Sequence, residues 1–160
     1  MSVELADAAA TEAAGRSLAT LLRAGDLVIL AGPLGAGKTT FARGLGAGLG
    51  VRGPITSPTF VIARVHPSLI AGPDLLHVDA YRLGGPAEFA ALDLEADADE
   101  SVTLVEWGVG IAEDLREDRL VVEFDRSGDG RTLTATAVGD RWAGVDVEGA
   151  LSVGEDASEG

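Results

Sequence analysis

The chain has 160 residues, 46% of them apolar and 24% charged, which suits a single domain with a sizeable core. It contains no cysteine, which excludes disulfides, thiolate metal sites and cysteine nucleophiles. The formal net charge is −14 and the arginines are scattered, so the chain lacks the clustered basic residues of a broad nucleic-acid-binding face. The acidity either keeps the protein soluble or steers a basic partner towards it.

The apolar runs and the first residues of the sequence bear on its location. No apolar run approaches the roughly 18 residues that a membrane-spanning helix needs. Residues 1–12 carry acidic side chains and no basic cluster, unlike a secretory signal. We therefore expect a cytoplasmic protein.

The first part of the chain predicts a helix, a buried strand and a second helix in succession. Residues 8–24 have leucines on one helical face, and Gly25 is positioned to end the helix. The run Leu27–Ala31 is apolar throughout, which is typical of a strand buried on both faces of a parallel sheet. Residues 39–49 carry apolar side chains at helical spacing.

A glycine-rich segment, residues 32–39, joins that strand to the second helix and fits the phosphate-binding pattern G-x-x-x-x-G-K-[ST]. Glycines allow backbone N–H groups to approach phosphate oxygens closely, and the start of a helix adds partial positive charge. Lys38, the only lysine of the sequence, is a compact charge on a flexible stem that can follow the β- and γ-phosphates. Thr39 is positioned to bind Mg²⁺. The segment predicts a nucleoside-triphosphate site.

The remaining predicted strands are short apolar runs, at residues 59–65, 75–79, 102–106, 120–124 and 132–138. The last two are expected to form a late antiparallel hairpin, because a glycine-containing turn separates them. Short helices are predicted at residues 86–94 and 111–115. The end of the chain is small, acidic and glycine-rich, which predicts a single domain over residues 1–147 and a disordered tail over residues 148–160.

Strands interleaved with helices indicate the α/β class: a three-layer, mostly parallel sheet of the P-loop NTPase type, with an antiparallel hairpin near the end. Ligands of such sheets bind beyond the carboxyl ends of the strands. Asp79 and Glu106 each end a predicted apolar strand. If both strands lie beside Leu27–Ala31, both carboxylates reach the phosphate loop, where they can bind Mg²⁺ or orient an attacking water. For either carboxylate alone, a helix cap or a loop hydrogen bond is the alternative.

Four segments together resemble the bacterial TsaE family, the ATPase component of the machinery that makes the tRNA nucleoside threonylcarbamoyladenosine (t6A). They are residues 32–44, 55–60, 77–83 and 104–107. The phosphate loop alone is shared by many families, whereas Ser-Pro-Thr, Asp-x-Tyr-Arg and Glu-Trp in this order and spacing are far more specific. With Thr11 and Arg131, the resemblance extends from about residue 5 to about residue 140.

The resemblance implies an ATPase that binds ATP and Mg²⁺, and we expect slow hydrolysis by the isolated chain. It implies catalytic roles for Lys38, Asp79 and Glu106, with Thr39 and Glu106 holding Mg²⁺ and Asp79 near the metal. The implied nucleotide contacts come from the phosphate loop and two other segments: Thr11, Leu34, Gly35, Ala36, Gly37, Lys38, Thr39, Thr40 and Arg131. Thr11 could equally cap a helix, and Arg131 could lie in the hairpin turn.

The resemblance also implies partners. In that family the ATPase acts with the transferase subunit and its paralogue, which install threonylcarbamoyl on adenosine 37 of tRNAs that read codons beginning with A. Scattered arginines disfavour direct tRNA contact by this chain alone. The alternative is a small-molecule or nucleotide kinase on the same fold, although no arginine-rich lid segment is present. A GTPase is disfavoured, because a single lysine cannot also supply a guanine-reading Asn/Thr-Lys-x-Asp segment.

One residue of the glycine-rich segment departs from the family pattern. Four other residues in or near the motifs have a structural role as their default. Pro33 occupies a position that is usually aspartate in the family, and it has no backbone N–H to offer a phosphate. Burial in the core is the default for Tyr81 and Trp107, and Trp107 alternatively shapes the edge of the site or the partner interface. His66 and His77 have no partner at metal-ligand spacing, so we expect both in the core or on the surface.

Overall fold

In a computed structural model, which describes residues 2–33, 37–53, 55, 63–127 and 130–152, a seven-stranded sheet carries helices on both faces. The strands are β1 (Ser2–Leu5), β2 (Leu27–Ala31), β3 (Ala63–His66), β4 (Asp74–Asp79), β5 (Ser101–Glu106), β6 (Arg119–Ser127) and β7 (Gly130–Val138). The α-helices are α1 (Ala8–Ala19), α2 (Lys38–Leu49), α3 (Pro86–Ala90), α4 (Glu95–Glu100) and α5 (Val147–Leu151), and short 3₁₀ helices lie at Glu113–Leu115 and Asp140–Trp142. None of these described helices is long and apolar enough to cross a membrane.

The strand order β1-β7-β6-β2-β5-β4-β3 puts β2 in the middle of the sheet. β2 pairs in parallel with β5 and β6, and β4 pairs in parallel with β5. β7 runs antiparallel to β6 and to β1, and β3 runs antiparallel to β4. β1, β6, β2, β5 and β4 therefore all point the same way, which confirms the predicted α/β class with a mostly parallel sheet and a late hairpin.

Alternate residues of β2 face two separate hydrophobic clusters, because side chains alternate across a strand. Val28 and Leu30 belong to a cluster with residues of α1, α2 and α5, whereas Leu27 and Ile29 belong to a cluster with residues of α3 and α4. All four side chains are fully buried. The apolar sequence of β2 thus reflects cover on both faces, and the three-layer architecture is confirmed.

Helices α1 and α2 cross at close range because glycines face the partner backbone. A methyl group at Gly44 of α2 would overlap the carbonyl oxygen of Glu12, and one at Gly15 of α1 would overlap that of Phe41. Only glycine permits this backbone contact, and a larger residue at either position would push the helices apart. The contact fixes the axis of α2, and with it the position of Lys38 at the start of that helix.

Three predicted helices are shorter in the structure than the sequence predicts, and the one over residues 111–115 is a 3₁₀ helix at Glu113–Leu115. α1 ends at Ala19, because the Thr20 hydroxyl donates to a carbonyl of the last helical turn (2.7 Å) and the chain turns there. The predicted helix over residues 86–94 stops at Ala90, since Asp93 adopts a left-handed conformation (φ 53°) that interrupts it.

The predicted disordered tail begins too early. The Asp146 carboxylate accepts a hydrogen bond from the Gly149 N–H (2.9 Å) and caps α5. Leu151 of this helix is fully buried in the cluster of α1 and α2, so the domain extends past residue 147. Residues 153–160 lie outside the described part of the chain, as does the beginning of the predicted strand over residues 59–65.

Like α5, the short elements β1 and α4 were not predicted from the sequence. In β1, buried Val3 and Leu5 alternate with exposed Ser2 and Glu4, and the strand pairs with β7 at one edge of the sheet. α4 lies in an acidic run that resembles a solvated loop, yet its Ala98 is buried against the sheet. Both elements are short, and tertiary contacts rather than a long apolar pattern stabilise them.

A buried ion pair ties Arg141 to the turn before β2. Arg141 donates from Nε and Nη2 to the two carboxylate oxygens of Asp26 (both 2.9 Å), and from Nη2 to the carbonyl of Leu21 (2.7 Å). The two side chains are 12% and 6% exposed. We expect Arg141→Ala to lower the free energy of unfolding by about 3 kcal/mol, because the buried Asp26 carboxylate then keeps only its hydrogen bond from the Arg23 N–H (2.8 Å) and loses its charged partner.

Urea denaturation followed by circular dichroism would measure this loss. The matched control is Arg116→Ala, because Arg116 pairs with Asp99, whose side chain is 69% exposed. We expect that control to change the free energy of unfolding by less than about 1 kcal/mol. Similar losses in the two variants would contradict the importance of the buried pair.

Candidate nucleotide-binding site

Lys38 begins α2 at the carboxyl end of β2, directly after Gly37, which adopts a left-handed conformation (φ 104°). Its Nζ donates to the carbonyl oxygens of Gly32 (2.5 Å) and Pro33 (2.9 Å). Only 5% of Lys38 is exposed. Pro33, which has no N–H to offer a phosphate, thus contributes a carbonyl oxygen that orients the lysine.

Asp79 and Glu106 are directly paired residues at the carboxyl ends of β4 and β5, and Glu106 is also level with Leu30 of β2. Glu106 is buried and Asp79 is half-buried. Burial lowers the pKa of Lys38, while the negative charges of Glu106 and Asp79 oppose that shift. The structure therefore brings the three candidate catalytic residues together at one edge of the sheet.

A buried histidine bonds to Glu106. His77 Nε2 lies 2.6 Å from Glu106 Oε2, and the two side chains are 1% and 4% exposed. His77 precedes Asp79 by two residues on β4, so the two share a sheet face and His77 lies diagonally across from Glu106. The expectation of a core or surface position is met by its burial, but sequence reasoning missed this bond. The sequence did offer one signal for this bond. His77 stands two residues before Asp79, so both side chains lie on one face of the predicted strand, where a neighbouring strand-terminal carboxylate can be reached.

Asp79 also makes the local hydrogen bond that was the alternative to a metal role. Its Oδ1 accepts from the backbone N–H of Tyr81 (3.0 Å), which closes a turn directly after β4. An ionised carboxylate has two oxygens and about four acceptor sites, so this bond leaves capacity for a further ligand. The loop bond and a role near a metal are therefore compatible.

Trp107 lies at the edge of the site. It follows Glu106 with φ 62°, a left-handed conformation that bulky residues rarely adopt. Its ring centroid is 4.0 Å from Lys38 Nζ, within the range of a cation–π contact, and 5.1 Å from the ring centroid of Tyr81. Tyr81 is 61% exposed, so the default expectation of a buried ring is wrong for this residue.

Thr11 lies beside Gly37, directly before the start of α2. A methyl group added at Gly37 would be 3.5 Å from Thr11 Cγ2, so the two residues face each other where α1 meets the start of α2. The helix-cap alternative for Thr11 is wrong, because Asp7 is the N-cap of α1 and its carboxylate accepts from Ala10 N–H (2.8 Å). The Thr11 hydroxyl donates to the Asp7 carbonyl (3.2 Å) within the helix.

The other predicted nucleotide contacts occupy three places. Thr39 and Thr40 are half-buried in the first turn of α2. Arg131 is half-buried on β7, opposite Leu5 of β1 and Arg126 of β6, so it lies in a strand and not in the hairpin turn. The rest of the loop, Leu34, Gly35 and Ala36, lies outside the described residues, as do residues 56–62.

The donor set at this edge of the sheet fits Mg²⁺. This ion takes oxygen ligands in an octahedron, usually one or two carboxylates together with phosphates and waters. Thr39, Asp79 and Glu106 offer a hydroxyl and two carboxylates. Within the described ranges, no group of three or more His, Cys, Asp or Glu side chains could hold a metal without further ligands. A metal that phosphates help to bind suits this set.

Comparison with known proteins finds relatives along most of the chain. The family model described as Threonylcarbamoyl adenosine biosynthesis protein TsaE matches residues 5–133. A tRNA threonylcarbamoyladenosine biosynthesis protein TsaE from Streptomyces coelicolor is 63% identical over 139 residues, which cover 83% of this chain and 94% of that protein. The protein of the same name from Bacillus subtilis is 40% identical over 133 residues, 82% of each chain.

A solved structure extends the similarity to three dimensions. The crystal structure of YdiB from Bacillus subtilis superposes with a TM-score of 0.73 at 33% sequence identity, covering 95% of this chain and 93% of that one. The likeness therefore extends over the fold of almost the whole chain, beyond the four motif segments. On the family match over residues 5–133 and these identities, the chain belongs to the TsaE family.

Proposed function

We propose that this chain binds ATP with Mg²⁺ and hydrolyses it in support of tRNA threonylcarbamoyladenosine biosynthesis, the process that the names of its relatives state. One observation carries the proposal. The ammonium of Lys38 is buried where Glu106 and Asp79 end neighbouring parallel strands, and both carboxylates act on its charge. A cation for phosphates beside two carboxylates for a divalent metal is the arrangement that triphosphate chemistry uses.

Lys38 and the loop amides would hold the triphosphate. Lys38 Nζ bonds to two neutral carbonyl oxygens, and a negatively charged phosphate oxygen attracts the ammonium more strongly than a neutral carbonyl oxygen does. Because Lys38 is only 5% exposed, little water competes with a phosphate for its ammonium. The start of α2 adds the partial positive charge of a helix N-terminus. Thr11 and Arg131 are proposed as further nucleotide contacts.

Glu106 and Thr39 would hold Mg²⁺, and Asp79 would orient a metal-bound water or the attacking water. When bound, Mg²⁺ neutralises charge that develops on the transferred phosphate. Glu106 is 3% exposed, so its carboxylate acts in a site from which water is largely excluded. The ring of Trp107 covers one side of the Lys38 ammonium. The contribution of this chain is therefore positioning and charge, without a covalent intermediate.

ATP hydrolysis would serve a partner complex. We propose as partners the transferase subunit and its paralogue, which modify adenosine 37 of tRNAs that read codons beginning with A. The net charge of −14 favours docking on a basic protein surface over direct contact with tRNA phosphates. A cytoplasmic location belongs to the same proposal, since tRNA is modified there.

A complementation experiment tests the role in tRNA modification. In a bacterial strain depleted of its own TsaE, we expect the wild-type chain to restore t6A, measured by mass spectrometry of nucleosides from bulk tRNA. Lys38→Ala should not restore it, because this variant lacks the ammonium that holds the phosphates. A wild-type chain that is expressed and folded but leaves t6A at the depleted level would contradict the proposal.

A further inference from the structure

We propose that His77 is a positioning residue, which holds the Glu106 carboxylate in the orientation that binds Mg²⁺. The inference rests on the proposed function, because it takes Glu106 as a metal ligand. The observation that carries it is the short, buried hydrogen bond between His77 Nε2 and Glu106 Oε2 (2.6 Å). His77 itself is fully buried, so it can reach the metal only through Glu106.

The chemistry of the two groups gives the bond a direction. An ionised carboxylate only accepts hydrogen bonds, so the Nε2–H of His77 donates to Glu106. Bonds of this charge-assisted type are shorter and stronger than those between neutral groups. Using one oxygen of Glu106 in this way leaves the other oxygen for a metal. The imidazole thus sets the orientation of the carboxylate without occupying all of its acceptor sites.

The surroundings of His77 show that packing alone does not account for a histidine at this position. Its neighbours on the same face, Leu75 of β4 and Leu104 of β5, are fully buried members of the cluster beneath α1 and α2. An apolar side chain would suit these neighbours, because it brings no polar atoms into the core. His77 instead leaves its Nδ1 buried without a hydrogen-bond partner among the described residues. The bond to Glu106 is the compensating interaction.

Glu106 needs such a partner because its side chain is flexible and its neighbour is a cation. A glutamate has three side-chain torsions, and the attraction of the Lys38 ammonium favours turning the carboxylate towards the lysine. The hydrogen bond from His77 favours the opposite orientation, towards β4, a strand in the interior of the sheet. Outer-shell partners that orient a ligand in this way typically affect metal affinity 10- to 100-fold, to order of magnitude.

His66 provides a matched control for a buried histidine. It lies on β3, on the same sheet face, with its ring centroid 6.4 Å from that of His77. It is 5% exposed and also has a buried ring nitrogen, Nε2, without a partner among the described residues. Its Nδ1 bonds to the backbone carbonyl of Arg52 (3.1 Å) and not to Glu106. Replacing His66 therefore disturbs the same part of the core without removing the bond in question.

Magnesium affinity reports on the orientation of Glu106 independently of turnover. Calorimetry with a non-hydrolysable ATP analogue, repeated over a series of Mg²⁺ concentrations, gives the half-saturating Mg²⁺ concentration of each variant. We expect His77→Leu to raise this concentration about 10- to 100-fold, with analogue affinity in EDTA unchanged. His77→Gln, whose amide N–H can take the place of Nε2–H, should recover most of the affinity. His66→Leu should match the wild type.

Three outcomes would overturn the inference while leaving the proposed function intact. They are wild-type Mg²⁺ affinity in His77→Leu, equal losses in His77→Leu and His66→Leu, and no recovery in His77→Gln. Failure of the wild-type chain to bind the analogue at any Mg²⁺ concentration would overturn the proposed function, and this inference with it. If His77→Leu does not fold, as judged by circular dichroism, His77→Asn takes its place, because its side chain is polar but too short to replace Nε2. It should show the same loss, and wild-type affinity there would overturn the inference.

Discussion

Replacing Lys38 by alanine is expected to weaken ATP binding about 100-fold or more, because it removes the only lysine of the chain from the start of α2. Hydrogen bonds to charged groups are worth about 1.5 to 3 kcal/mol each, and about 1.4 kcal/mol corresponds to a tenfold change in affinity. The loss of one or two such bonds to phosphate oxygens accounts for the expected effect. Calorimetry with ATP and Mg²⁺ measures it.

The control for Lys38→Ala is a variant that loses one positive charge elsewhere. Arg16 of α1 is suitable, since its side chain is 58% exposed and its ion pair with Glu12 lies on the surface. We expect Arg16→Ala to bind ATP as the wild type does, because exposed charges are screened by salt. Unchanged affinity in Lys38→Ala would remove the basis of the nucleotide assignment.

The second large effect is expected for Glu106→Gln, which should reduce ATP turnover about 100-fold or more while ATP still binds. The amide keeps the size of the side chain, and its oxygen can still accept the hydrogen bond of His77 Nε2. It loses the charge that a hard cation prefers in a ligand, and removing one electrostatic group from an active site commonly costs about 100- to 1,000-fold. Affinity for ATP without Mg²⁺ should stay the same or rise, because a negative charge near the phosphates is gone.

Phosphate release from ATP measures the turnover of Glu106→Gln against that of a matched control. Glu123→Gln serves as the control, because Glu123 is an exposed carboxylate on β6, the strand beside β2. We expect this control to hydrolyse ATP at the wild-type rate. Wild-type turnover in Glu106→Gln would contradict the metal role of Glu106. Candidate acceptors added to the same reaction should remain unphosphorylated on thin-layer chromatography, and a phosphorylated acceptor would favour the kinase alternative.

The parts of the site that sequence reasoning predicted are those whose signal is local. Lys38 stands in a short segment with a known spacing of glycines, and Leu27–Ala31 is apolar throughout because the strand is covered on both faces. Asp79 and Glu106 could be proposed as neighbours because parallel strands bring their carboxyl ends to one edge. Each of these inferences needs only consecutive residues and a general rule about sheets.

The parts that sequence reasoning missed depend on contacts between distant segments. β1 and α5 are too short for a clear periodic pattern, and they are held by β7 and by the cluster beneath α1. The end of α1 is set by the hydroxyl of Thr20, although the leucine pattern continues beyond it. Tyr81 remains exposed at the site, although most aromatic rings are buried.

The order of amino acids alone was enough to predict the buried strand Leu27–Ala31, the α/β class and the family, because each depends on patterns among neighbouring residues. Only the tertiary structure decided which side chains of neighbouring strands bond to each other. His77 and Glu106 are 29 residues apart, and their hydrogen bond exists because β4 and β5 pair in one particular register. A shift of that register by one residue would turn His77 to the other face, and no local pattern specifies which register the two strands adopt.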